Sequence, residues 1–404
     1  MTSLPLTVGL LLSVCTFSQA ARIDLPIQLQ NTYHSVPVGL GTPPKTFRLI
    51  PDTGSVPSWV LNTDCAPGSN ACPNGSGYTR VPYDPAASNT SVATPYYGAI
   101  SYIAGVSVGG SIYEDVMSFT STLGAPVLFN QTFIDAEASG WRFLPGDGYF
   151  GLGFSTAAEP HTESIFETMV QAGVVDEPKF SIYFGNGTDP VDENMNIVPN
   201  DGVLTLGGSR ADEYVEGGAA SVRRFDLVPP YEVRVSLNDF AFVPLDMRVK
   251  VWKTGASEVQ FSGAANKTLS LADTSIVFDT GASNLAVPTS LIEEMYAAIG
   301  ANYTALLHGA PLQCSQMNAS WSLELTVGGT MEQTISFTGA QLAHPGLGGH
   351  AEWCIPPFDD FGGEGTFIVG NWIIARFYSE WDLGATEVAN YQPTLGFGVL
   401  KSGL

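Results

Sequence analysis

The tetrapeptides Asp52-Thr53-Gly54-Ser55 and Asp279-Thr280-Gly281-Ala282 share one Asp-Thr-Gly core, 227 residues apart in a chain of 404. Each follows an apolar stretch, Phe47 with Leu49-Ile50 before the first copy and Ile276-Val277-Phe278 before the second, and each leads into another. One Asp-Thr-Gly alone is an ordinary turn sequence, because all three residue types are at home in turns. Two copies in matching apolar settings, separated by more than half the chain, instead divide the sequence into two related halves. The length leaves room for two domains of ordinary size, each with its own core.

Composition narrows the class. Apolar residues make up 44% and charged residues 14%, a balance that suits a globular chain and argues against disorder. With 44 glycines and 27 prolines, the chain is a series of short β-branched or aromatic stretches broken by turn residues, which reads as all-β. Sixteen basic residues stand against 39 acidic ones, for a net charge of −23. A nucleic-acid binder needs a basic footprint, and none is present. The acidity favours solubility and suits acidic surroundings, where protonation relieves self-repulsion.

Residues 1–20 read as a secretory signal: an apolar stretch from Leu6 through Cys15, then the small-x-small pattern Ser18-Gln19-Ala20. The segment before it has no Lys or Arg. No later stretch reaches the roughly 18 to 20 uninterrupted apolar residues of a membrane span. The C-terminus, Lys401-Ser402-Gly403-Leu404, has no hydrophobic tail for a lipid anchor. Secretion is therefore expected. If Cys15 leaves with the signal, Cys65, Cys72, Cys314 and Cys354 remain, with three possible connectivities. No His lies near either pair at zinc-site spacing. Asn-x-Ser/Thr sequons at Asn74, Asn89, Asn130, Asn186, Asn266, Asn302 and Asn318 are glycosylation candidates in an exported chain.

Symmetry of this kind fits a chemistry that needs one carboxylate from each half. When two aspartates face each other across a shared water, like-charge repulsion raises one pKa and the pair holds a single proton. The ionised member takes a proton from the water while the protonated one donates to the carbonyl under attack. Glycine after each Asp-Thr lets the backbone turn tightly toward its mate. Other chemistries find no support. The sequence has no Gly-rich phosphate loop, H-E-x-x-H or G-x-S-x-G. The histidines, at 34, 161, 308, 344 and 350, are scattered and read as surface or loop residues. Neither metal nor cofactor is expected.

From about Ile23 to the C-terminus, the chain resembles the pepsin-like aspartic peptidases. The resemblance implies an all-β, bilobal fold with a cleft between the lobes, here residues 21–205 and 206–404. Local disulfides, Cys65–Cys72 and Cys314–Cys354, match the family's usual loops. Thr32–Pro44 looks like the hairpin that leads into the first catalytic strand. Trp59, seven residues after Asp52, stands where the family has a tryptophan that partners the tyrosine of a mobile flap. Tyr97-Gly98 mimics the family's Tyr-Gly pair, but Tyr102 fits the flap position better. From Tyr102, Gly105, Gly109 and Val116 fall at family spacing, and Tyr83-Asp84-Pro85 lies at the expected distance upstream. Ile103 replaces the usual glycine there.

Asp147–Phe154 and Phe367–Asn371 resemble the segments that pass behind each catalytic loop and brace it. Phe180–Phe184 and Leu204–Gly208 resemble strands at the lobe junction, with a polar loop over Asp189–Asp201. A helix is expected over Ser290–Ile299, capped by Ser290, with Glu293 and Glu294 in its first turn. Trp372–Tyr378 with Trp381-Asp382, and Leu395–Gly398, resemble closing strands.

Four departures from the family stand out. Pro51, just before Asp52, cannot donate within a sheet, so strand pairing there is expected to differ. Ala282 stands where a Ser or Thr usually donates to the second aspartate. That loss raises the carboxyl's pKa, while Asn371, at a position where Asp is common, lowers it by removing a negative charge. The two effects oppose, and their sum is open from sequence. Pepsin-like zymogens also carry a basic prosegment, whereas here the body begins within a few residues of Ala21.

Two readings follow. The first is a secreted aspartic endopeptidase, a catalytic monomer because both motifs lie in one chain. Asp52 and Asp279 share a proton, Thr53, Gly54, Ser55, Thr280 and Gly281 support them, and a polypeptide lies under Tyr102. The second is a secreted binding or inhibitor-like protein, weak or inactive, on the same scaffold. Both aspartates and both glycines are intact, which an inactive descendant has no chemical need to keep.

Overall fold

The computed structural model describes residues 20–30, 32–102, 105–155, 161–185, 200–227, 232–236, 246–263, 265–328 and 333–404. Residues 1–19 of the expected signal (1–20) and most of the expected polar loop over 189–201 lie outside them. The all-β expectation holds: among the described residues, two eight-stranded sheets, a six-stranded sheet and two strand pairs dominate, with only short helices.

The two large sheets repeat one plan. In the first, Lys45–Asp52 runs parallel to Gly148–Gly151, which pairs antiparallel with Trp59–Leu61. In the second, Ser275–Asp279 runs parallel to Thr366–Gly370, which pairs antiparallel with Leu285–Val287. Each strand that ends in an Asp-Thr-Gly motif and the strand that follows the motif are therefore bridged by a brace from about a hundred residues downstream. The registers match as well, Asp52 opposite Gly151 and Asp279 opposite Gly370. Strands of this kind follow from alternation: over Ser322–Val327 only Leu323, Leu325 and Val327 are buried, so period two sets the inward face.

Both halves contribute to the six-stranded sheet. In order it contains Ile23–Pro26, Val203–Leu206, Lys179–Tyr183, Phe377–Asp382, Thr394–Val399 and Arg223–Asp226. Position 205 lies within its second strand. Between this sheet and the catalytic loops sits Trp252, with ring centroids 4.5 Å from Phe154, 5.7 Å from Phe180 and 5.3 Å from Trp381. Its indole N–H donates to the Leu152 carbonyl at 2.9 Å. Disulfides Cys65–Cys72 and Cys314–Cys354 are formed.

Several local expectations are corrected. Pairing at Pro51 is uninterrupted, Pro51 lying opposite Phe150. The Arg48 and Asp52 carbonyls accept from Asp147 and Leu152 on the brace side, so the peptide groups of Pro51 face the other way. Pairing on that side ends at Leu49, opposite Val36, so no N–H is required of residue 51. The helix runs Thr289–Ala298 and is preceded by Pro288, with no side-chain cap. Ser290 lies inside it, giving its N–H and Oγ to Glu364 at 2.9 and 2.7 Å. Glu364 thus supplies the negative charge at the helix start; Glu293 and Glu294 lie beyond the first turn. Asn371–Ile374 forms a helical turn before the strand Phe377–Asp382. His34 and His344 are half-buried, His34 within the strand Tyr33–Leu40 rather than in a loop and His344 in a loop as expected. His34 meets Phe184 edge-on at 4.8 Å, His344 stacks on Trp372 at 3.6 Å, and burial pushes each imidazole down to about 4.

Candidate active site

Each motif sits where its strand ends at the cleft floor, and the two are cross-tied. The Thr53 hydroxyl donates to the Phe278 carbonyl at 2.9 Å and accepts from the Thr280 N–H at 3.0 Å. Reciprocally, the Thr280 hydroxyl donates to the Pro51 carbonyl at 2.8 Å and accepts from the Thr53 N–H at 3.1 Å. Thr53 and Thr280 are buried, so these four bonds are shielded from competing water. A β-carbon at Gly54 would lie 2.3 Å from the Asp279 carboxyl, and one at Gly281 would lie 2.5 Å from Asp52 Oδ1. Only glycine leaves the opposite carboxyl its place.

The aspartates are held differently. Asp52, 2% exposed, accepts from the Gly54 N–H at 2.9 Å on Oδ1 and from the Ser55 hydroxyl at 2.5 Å on Oδ2. Asp279 accepts from the Gly281 and Ala282 N–H groups at 2.8 and 3.1 Å, both on Oδ1. Ala282 thus contributes a backbone donor but no hydroxyl. Burial raises the pKa of both carboxyls, and the charge of Asp279 pushes Asp52 further up. Asn371 lies under the second loop, its N–H donating to the Ala282 carbonyl at 2.8 Å.

Around the floor opens a cleft of about 840 Å³ with walls from both halves. Tyr102 lies on one wall, and its hydroxyl accepts from the Trp59 indole N–H at 2.8 Å. The rival Tyr97 is 62% exposed on the outside of the hairpin. Gly105 turns the hairpin with φ +74°; Ile103 lies outside the described residues. Behind Tyr102, Trp59 stacks on Tyr149 at 5.4 Å and Trp141 stacks on Tyr149 at 5.6 Å. Tyr149 and Trp141 are cleft residues that sequence reading missed. Tyr149 was open to detection, since it interrupts the apolar pair expected in the brace; Trp141 carried no signal. Asp147, opening the same segment, is buried and accepts from the Arg48 and Val81 N–H groups and the Tyr78 hydroxyl. Of the sequons, Asn74, Asn89, Asn130, Asn266 and Asn302 are exposed, Asn318 is half-buried, and Asn186 lies outside the described residues.

A family profile described as eukaryotic aspartyl protease matches residues 33–217 and 235–391, spanning both motifs. The chain belongs to that family. It is accordingly an aspartic-type endopeptidase, a hydrolase whose family acts on polypeptides. Probable vacuolar protease A of Trichophyton verrucosum is 28% identical over 376 residues, covering 89% of this chain and 78% of the relative. Renin of Ovis aries is 26% identical over 372 residues, covering 88% and 80%. A crystal structure of aspartic proteinase from Irpex lacteus superposes with a TM-score of 0.67 at 21% identity, covering 94% of this chain and 98% of that one, a likeness of fold. The bilobal pepsin-like architecture is that of this protease family.

Proposed function

We propose that this aspartyl protease is a secreted endopeptidase that cuts extended polypeptides with a water activated between Asp52 and Asp279. The observation that carries the reading is the reciprocal fit of the two loops, in which each glycine makes room for the other half's carboxyl. One carboxyl, ionised, takes a proton from the water; the other, protonated, donates to the oxygen of the scissile carbonyl. Ser55 and the Gly54 N–H fix Asp52, and two N–H groups on one oxygen fix Asp279. Tyr102, steadied by Trp59, closes over the substrate and limits water.

The enzyme works as a monomer, because both carboxylates come from one chain, and it takes neither metal nor cofactor. Residues 1–20 direct export, the body divides at about residue 205, and exposed sequons carry glycans. The intact dyad favours catalysis over the binding or inhibitor-like alternative.

The test is cleavage of an acid-denatured protein from about pH 2.5 to about pH 7, with and without a statine-type inhibitor, beside Asp52→Asn. Inhibitor-sensitive cleavage that disappears in the variant is expected. Folded wild-type protein that cuts nothing at any pH would sink the proposal.

A further inference from the structure

The aromatic wall beside Asp52 contains buried polar groups with no hydrogen-bond partner among the described residues. Tyr149 is 1% exposed, yet its hydroxyl has no hydrogen-bond partner among the described residues. A buried hydroxyl of this kind costs free energy until an acceptor arrives. Burial raises its pKa, and Tyr33, Asp52, Tyr102 and Asp279 raise it further, which puts the phenol oxygen within the field of the dyad. The ring lines the cleft together with Tyr33, Tyr102 and Trp141. Trp141, stacked on Tyr149 at an interplanar angle of 28°, has an indole N–H that is also unpartnered among the described residues. Two unpaired donors therefore stand on one wall of flat aromatic surface. An indole N–H can only donate, and a carbonyl oxygen can accept two hydrogen bonds.

We propose that Tyr149 is a specificity-determining residue, whose hydroxyl binds the side-chain carbonyl of a glutamine- or asparagine-type residue next to the scissile bond. The inference rests on the peptidase reading of the cleft. The planar amide lies against the aromatic faces, and its oxygen takes the donor left unpaired in the free protein. A site built to hydrogen-bond a substrate group discriminates against the analogue that lacks it, because the site's own polar group then stays buried and unpaired.

Affinity tests this without requiring turnover. Statine-type peptides are made in pairs with Gln or Met, of similar length and shape, at each of the two positions flanking the statine. Binding to wild type and Tyr149→Phe is measured by calorimetry. At one position the wild type is expected to bind Gln about tenfold more tightly than Met. In Tyr149→Phe that ratio falls to about one, whereas loosened packing would weaken both peptides and leave the ratio at about tenfold. Equal affinities in the wild type, a ratio that survives in Tyr149→Phe, or no binding of either peptide would overturn the assignment. Cleavage of the matching substrates is read separately. A wild type that binds with the expected ratio but cleaves nothing refutes the endopeptidase mechanism and leaves the role of Tyr149 standing.

Discussion

At the scale of single residues, the asymmetry of the dyad comes down to one oxygen. Ser55 donates to Asp52, while Ala282 offers Asp279 only its N–H. In Ala282→Ser, a new donor to the Asp279 carboxylate favours its ionised form and lowers the pKa. The acid limb of the pH–rate profile should therefore move to lower pH; a limb that moves up or stays would refute the argument. Trp59→Phe removes the indole donor to Tyr102 and puts a smaller ring into a fully buried site. A net hydrogen bond is worth about 1 kcal/mol, so kcat/KM measured well below the melting transition should fall about fivefold to tenfold, and the cavity should lower the melting temperature as well. Gly54→Ala should abolish cleavage in a folded protein, since its β-carbon would meet the Asp279 carboxyl. Both aspartates, both glycines and Tyr102 could be found in the sequence because motif and spacing fix them. Tyr149 and Trp141 could not be assigned so, because their role depends on which donors are left unpaired once the chain is packed.

At the scale of elements, the sequence supplied strands and braces but not their edges. Alternation identifies a buried face, yet the continuity at Pro51 depends on where the neighbouring strand stops, and that is a property of register. The helix at Thr289–Ala298 was legible by pattern. Its start was not, because Glu364, from a loop far along the chain, does the work assigned to Ser290. Strand Pro126–Ser139 carries a testable group, Asp135, 5% exposed and pushed up to about 7 by burial and by Glu137, Asp84 and Asp64. Between the unfolded value of 3.8 and about 7, the folded protein binds the extra proton, so this carboxyl's contribution to stability declines as pH rises through that window. Asp135→Asn should therefore melt progressively higher than wild type as pH is raised from about 4 to about 7. Thermal unfolding followed by circular dichroism reads the gap, and a gap independent of pH would refute the assignment.

At the scale of the molecule, Trp252 joins what the motif duplication divides. It lies against Phe154 and Phe180 from one half and Trp381 from the other, fully buried. Trp252→Ala should cost about 3–5 kcal/mol and should lower the melting of the whole protein rather than split it into two transitions; calorimetry distinguishes these outcomes. His34 and His344 act on pH in the opposite sense to Asp135. With folded values of about 4 against the ordinary 6.5 of a free imidazole, they withdraw stability as pH falls from about 6.5 toward 4. The sequence announced two halves through its repeated motif, but the shared six-stranded sheet draws on both ends of the chain, and long-range pairing of that kind leaves no local trace. The crossed threonine bonds carry a mechanical consequence. Four buried bonds that tie one loop to the other set the spacing of the two carboxyls at the floor, so that spacing does not depend on the loops that form the rim.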